Sequence, residues 1–261
     1  ALAQMNQQKQ QEWIDEWDML KDSELFLLKD WILPWTLDDF KGKDILEVGC
    51  GGGHHTAMIA PYAKSVTAVD LNTVEIARQF NKDNRNTEFL EADAATMNLG
   101  RAFDVVIAIG MIHHTDDPDA TVANLTRHLK PGGILIMVVY SKEGNFLVEH
   151  GVEAIRKSML VHLSRQAVYR LARWITALLY VPVYTLYVLP IGWLPYYKYF
   201  GNFRRMGFDR NLLNVFDKLN APQVQFITKE RVESWFGWPK FDRVSIQWYM
   251  GVSWRGSGVL R

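Results

Sequence analysis

The sequence predicts an α/β fold, a doubly wound and mostly parallel sheet with N-terminal helices and a helical, aromatic-rich insert, and three observations carry that prediction. Short, continuously apolar runs alternate with helical patterns between residues 44 and 140, as parallel strands covered on both faces require. The first run, Asp44–Val48, ends in a turn crowded with glycine, Gly49-Cys50-Gly51-Gly52-Gly53. Beyond Tyr140 the chain becomes basic, then charge-free and crowded with Trp and Tyr.

Taken in order, residues 12–31 place Trp13, Ile14, Trp17, Leu20, Phe26, Leu27, Leu28 and Trp31 at helical spacing among acids and lysines. Amphipathic helices are expected there, lying across the open edge of the main domain. Ala1 and the Gln-rich residues 4–11 read as the tail of a linker from something longer, without the apolar run of a signal peptide. Strands are predicted at Asp44–Val48, Ser65–Asp70, Thr87–Glu91, Phe103–Ile109 and residues 134–140, and helices at residues 73–81 and 118–129. Residues 130–133, Lys-Pro-Gly-Gly, read as the turn into the last of those strands. Residues 146–180 read as helical and basic. From 174 to 197 there is no charge and no histidine, yet Pro182, Pro190 and Pro195 interrupt the stretch and argue against a straight membrane-spanning helix. A helix at residues 229–236 and β-like runs at 241–248 and 251–259 close the chain. Four segments follow: a tail with amphipathic helices (1–40), a ligand-binding core (41–145), a hydrophobic insert (146–227), and a last helix with two strands returning to the core (228–261).

Composition narrows the function classes. Lys+Arg and Asp+Glu balance at 29 each, so no global field recruits nucleic acid, and no nucleic-acid partner is expected. Cys50 is the only cysteine, which excludes an intramolecular disulfide framework and multi-cysteine zinc sites and points to a cytoplasmic setting.

The glycine turn lets backbone N–H groups approach a ligand closely, because no side chain intervenes. A dinucleotide fingerprint would need a further glycine at position 54, where this chain has His54. Glu47 precedes the first glycine; an acid there neutralises a cationic ligand, whereas it repels a pyrophosphate. Both features disfavour a nicotinamide-dependent oxidoreductase. Asp70 closes the second strand, where a carboxylate accepts hydrogen bonds from both ribose hydroxyls or simply caps the next helix. Asp93, after the third strand, accepts from an adenine amino group or is an ordinary turn aspartate.

The segments ILEVGCGGG, VTAVD, FLEADA, FDVVIAIGMIHH and LKPGGILIMVV resemble, in order and spacing over residues 43 to 140, the successive motifs of the class I S-adenosylmethionine-dependent methyltransferases, in particular their small-molecule type 11 branch. The resemblance implies a Rossmann-like seven-stranded sheet with its last strand antiparallel, completed by residues 241–248 and 251–259. It implies S-adenosyl-L-methionine as cofactor and S-adenosyl-L-homocysteine as product. Glu47, Gly49, Cys50, Gly51 and Gly53 would form the methionine-side loop, Asp70 with Leu71 would hold the ribose, and Asp93 with Ala94 the adenine. Ile109 and Gly110 would contact the cofactor through backbone, with His114 beside them. His113, His114 or Asp116 would serve as general base where the acceptor needs one. The acceptor would be small or amphiphilic, methylated at oxygen, nitrogen or carbon. Some bacterial members from cell-surface carbohydrate and lipid gene neighbourhoods resemble this chain in an apolar insert followed by a segment like residues 215–236, so that the resemblance extends to a lipid- or saccharide-linked acceptor. The rival is a catalytically silent cofactor-binding adaptor that docks a membrane or a partner.

His54-His55 and His113-His114 fall at the ends of neighbouring strands and so face one cleft, but no carboxylate spacing accompanies them and no metal is expected. Three readings of the aromatic insert stay open: a lid over the acceptor, a peripheral membrane contact through residues 174–197, or core and oligomer packing. Arg204, Arg205 and Arg210 form either a solvated basic surface or a site for an anionic group.

Overall fold

A computed structural model describes residues 25–220, 223–237 and 239–261. The helical pattern at Trp13, Ile14, Trp17 and Leu20 lies outside the described residues. Seven strands form one sheet: β1 (Asp44–Val48), β2 (Ser65–Asp70), β3 (Thr87–Glu91), β4 (Phe103–Ile109), β5 (Leu129–Tyr140), β6 (Phe241–Tyr249) and β7 (Ser253–Leu260), in the order β3-β2-β1-β4-β5-β7-β6. The pairs from β3 to β5 are parallel, while β7 runs antiparallel to both β5 and β6. Strand order therefore reverses between β1 and β4, and such a reversal opens a crevice beyond the strands' carboxyl ends.

Period-two alternation sends successive residues of β1, β4 and β5 to different cores. Leu46, Val48, Val106, Ala108, Leu135 and Met137 pack on one face with α4 (Pro118–Arg127) and α9 (Lys229–Trp235). Ile45, Val105, Ile107, Ile134 and Ile136 pack on the other with α1 (Leu25–Ile32) and α2 (His54–Ile59). Helix α1 thus covers the sheet's face at β5 and β7 rather than the open edge expected of the N-terminal helices, because Leu28 and Ile32 need a buried apolar surface that an edge does not supply. Helix α3 (Val74–Phe80) lies between β2 and β3. The expected turn at residues 130–133 is absorbed into β5 as an irregularity in its pairing with β4 between Phe103 and Val105.

The insert is less regular than its sequence reads. A π-helical turn at Val148–Val152, the short α5 (Glu153–Ser158) and a 3₁₀ turn at Leu160–His162 precede α6 (Arg165–Thr185). Ser164 starts α6 by accepting from the Ala167 N–H. Pro182 does not end α6, which runs three residues past it; Pro190 and Pro195 fall in the turns that follow. Helices α7 (Tyr197–Phe203) and α8 (Phe208–Asn220) then pack back on α6 around Val168, Ala172, Val183, Phe203, Leu212 and Phe216. Among the described residues no helix is long and apolar enough to cross a membrane.

Candidate active site

Two cavities meet above the carboxyl ends of β1 and β4. The larger, about 430 Å³, is lined by Gly49, Gly51, Asp70, Leu71, Asp93 and Ala94 together with Ile109, Gly110, His114 and Asp116. The smaller, about 190 Å³, lies beneath the insert. Gly49, Ile109, Gly110 and His114 line both, so these four residues form the junction.

Most of the residues singled out from sequence converge on the larger cavity. Asp70 accepts from the Gly51 N–H at 2.9 Å and the Asn72 N–H at 3.3 Å, which ties the glycine turn to the end of β2. Asp93 sits exposed on the opposite wall and accepts from the Ala95 N–H at 2.8 Å. Gly49 has φ +74°, and a Cβ there would come within 2.5 Å of Met111, so the turn can be neither side-chained nor relaxed. Gly110 is likewise left-handed, at φ +76°.

Two predicted loop residues line neither cavity. Glu47 is only 3% exposed and accepts from the Thr56 hydroxyl beneath the turn. Burial pushes its carboxyl up to about 7, against the Thr56 hydrogen bond that lowers it, and the negative charge of Asp70 adds to the rise. Gly53, at φ +77°, caps α2 where a Cβ would meet Asn81 and the Ala77 backbone, so its role is packing against α3. Cys50 lines the smaller cavity, but burial and two nearby carboxylates push its thiol well above the ordinary range, which leaves it inert.

All four paired histidines line the smaller cavity. His54 packs on Phe80, 4.4 Å between ring centroids. The His55 Nδ1 lies 3.8 Å from Glu47, but burial first, then Arg210 and His54, pull the ring down to about 3, so it stays neutral. Burial also drives His113 well below its usual value; its ring lies tilted against those of His114 and Tyr140, and neither ring nitrogen has a hydrogen-bond partner among the described residues. His114 differs: its Nδ1 lies 2.7 Å from the Gln223 carbonyl. A carbonyl only accepts, so Nδ1 carries a proton and donates it. Asp116 stands on the exposed rim of the larger cavity, away from the smaller one. Among the described residues no three His, Cys, Asp or Glu side chains converge as metal ligands do.

Several residues of the site carry no signal in sequence. The returning strand-like segment at residues 223–227 straps the histidine loop: the Gln225 N–H donates to the His113 carbonyl at 2.8 Å, and the Gln223 and Gln225 side chains donate to the Thr115 carbonyl. Tyr140, at the end of β5, donates to Asp217 of α8 at 2.8 Å, and Lys218 lies over the rings of Tyr140 and Tyr199. The arginines read as one basic cluster separate. Arg204 donates to the Val183 and Tyr187 carbonyls, Arg205 stacks on Phe26, and Arg210 lines the smaller cavity beside Trp31. Helix packing, which adjacency in sequence does not encode, sends them to three places.

Residues 46–137 match the family described as Methyltransferase domain. The ubiquinone biosynthesis O-methyltransferase of Rickettsia canadensis is 32% identical over 103 residues, 38% of this chain and 44% of that protein. The tRNA U34 carboxymethyltransferase of Pseudoalteromonas translucida is 30% identical over 122 residues, 44% of this chain and 37% of that protein. The matched region thus spans less than half the length of these curated relatives. Among solved structures, the N-methyltransferase NodS of Bradyrhizobium japonicum WM9 with S-adenosyl-L-homocysteine superposes with a TM-score of 0.46 at 20% identity, over 53% of this chain and 74% of that one.

Proposed function

We propose that this chain, whose core is a class I S-adenosylmethionine-dependent methyltransferase domain, methylates a small or amphiphilic acceptor held in the cavity beneath its insert. The observation that carries this reading is the junction. A cleft with carboxylates at successive strand ends opens, through Gly49, Ile109, Gly110 and His114, into a second cavity walled by the insert.

The donor set of the larger cavity fits S-adenosylmethionine. Asp70 offers a half-exposed carboxylate for the ribose, with Leu71 beside it, and Asp93 with Ala94 flanks the place for the adenine. Gly49, Gly51 and Gly110 keep their part of the wall to backbone, and the buried Glu47 carboxyl lies beneath the turn, where a cationic amino-acid portion would favour its ionised form. When bound, the cofactor supplies a methyl group on a cationic sulfur, open to in-line attack; the protein's part is alignment.

On a hydroxyl acceptor, His114 is the base. The Gln223 carbonyl meets its Nδ1 and so orients the ring at the junction of the two cavities. His113, buried and neutral, lines the smaller cavity with both ring nitrogens covered, and Asp116 stands on the rim of the larger one, away from the junction. The O-methyltransferase relatives favour such a hydroxyl. Tyr140, Tyr199, Trp31 and Tyr249 give the cavity aromatic walls suited to a flat or chain-like apolar body. In this reading residues 41–145 with 228–261 are the cofactor core and residues 146–227 the acceptor cap.

Calorimetry with S-adenosylmethionine tests the first half. Binding is expected, and Asp70→Ala should weaken it about 10- to 100-fold through lost charge-assisted hydrogen bonds. Binding of NADH in its place would overturn the reading. Transfer of radiolabelled methyl into a lysate fraction tests the second half; cofactor binding without transfer would leave an adaptor.

A further inference from the structure

Helix α6 is apolar on two faces, one buried and one exposed. Val168, Ala172, Thr176 and Val183 point into the insert's core. Leu171, Trp174, Leu178 and Val181, spaced three and four apart, form a stripe on the opposite side. That stripe is open to solvent: Trp174 is 71% exposed, Leu178 66% and Val181 65%. The turns that follow extend the apolar surface with Val188, Leu189 and Trp193, the last 82% exposed. Contiguous apolar surface of this kind is rare on a protein that works alone in water.

The charge around it identifies what covers it. Residues 154–208 contain no Asp or Glu and eight Lys or Arg. Arg170 and Arg173 are exposed on α6 beside the stripe. A surface apolar in its middle, basic at its flank, free of acids and carrying tryptophans matches an anionic bilayer, where indoles settle at the headgroup level and guanidinium groups meet lipid phosphate. A second copy of the chain fits less well, since a two-fold pairing of this face would bring like charges together. No described helix is long and apolar enough to cross, so the contact lies on the membrane.

We propose that the outer face of α6 and the turns to Trp193 seat this protein on anionic lipid bilayers. The other side of the insert, through Tyr199, Asn202, Arg210 and Lys218, walls the smaller cavity. The same three helices therefore join the membrane to the cavity, and, given the methyltransferase reading, the acceptor is an amphiphile taken from the bilayer. The docking itself does not depend on that reading.

Vesicle flotation of the full chain tests it, with phosphatidylcholine alone and with phosphatidylcholine and phosphatidylglycerol in equal parts. Flotation with the anionic vesicles is expected, and Trp174→Glu with Trp193→Glu should abolish it. Arg170→Gln and Arg173→Gln should each lower partitioning about fivefold, and added salt should weaken it further. S-adenosyl-L-homocysteine affinity, measured on every variant, reports both folding and the cofactor reading independently of the membrane. Overturning results are no flotation of the wild type with either vesicle, or unchanged flotation of the double Trp variant with its cofactor affinity intact. A dimer in solution that the Trp substitutions dissociate, without flotation, would assign the face to self-association. Flotation only after deletion of residues 1–24 would assign it to that segment.

Discussion

At the scale of single residues, Glu47 is the group whose environment departs furthest from what its position suggests. Its carboxyl sits under the glycine turn with the Thr56 hydroxyl as partner, and burial raises it from 4.5 to about 7. The folded protein thus holds a proton that the unfolded chain releases. That contribution to stability is fully present below pH 4.5 and is lost as pH rises through about 7. Glu47→Gln, neutral throughout, should therefore melt above the wild type in alkaline buffer and level with it in acid, a difference of about 3 kcal/mol. Equal melting at both ends of the range would show that Glu47 is ionised in the fold. Gly53 makes a complementary case. An added Cβ meets the Asn81 amide at 2.5 Å and the Ala77 Cα at 2.9 Å in a left-handed backbone. Gly53→Ala should cost about 1–3 kcal/mol, roughly 2–4 °C of melting temperature for each, without touching the cleft.

At the scale of elements, close packing and returning segments do what local propensity does not. Strand β7 carries Gly256 and Gly258 because Phe236, at the end of α9, lies across them; a Cβ on Gly256 would sit 2.8 Å from the Phe236 ring. That ring is buried edge-on against Phe241, 5.2 Å away, and has little room to retreat. Gly256→Ala is expected to destabilise by about 1–3 kcal/mol in a denaturant titration. The strap at residues 223–227 joins the insert to the site. It runs beside Ser141 and holds the loop of His113 and His114 through backbone bonds. The Tyr140 hydroxyl ties the same sheet edge to α8 through Asp217. Tyr140→Phe should accordingly reduce methyl transfer while leaving cofactor affinity unchanged; a parallel fall in both would mean that Tyr140 supports the cofactor cleft as well.

At the scale of the whole molecule, the two cavities have separate builders. The larger is lined by the parallel sheet's turns, apart from Gln223 of the strap; the smaller needs the insert, which contributes Tyr199, Asn202, Arg210, Asp217 and Lys218. Arg210→Ala and Lys218→Ala should leave the calorimetric affinity for S-adenosyl-L-homocysteine as it is and lower turnover, whereas Asp70→Ala should lower both. A loss of cofactor affinity in the insert variants would contradict the division. The same division explains which features are legible in sequence. The glycine turn, the strand-end acids Asp70 and Asp93, and the apolar strands are local patterns, since each depends on residues within one strand and its next turn, and α/β geometry brings such turns to one edge. The N-terminal helix, the long β5 and the scattering of Arg204, Arg205 and Arg210 depend on which distant surface each meets. By itself, then, the sequence determined a parallel sheet with carboxylates at successive strand ends. Only the tertiary structure decided that Glu47 lies beneath the turn, that Gln223 orients His114, and that α8 closes a second cavity, because burial and long-range hydrogen bonding arise from contacts between segments that no local pattern records.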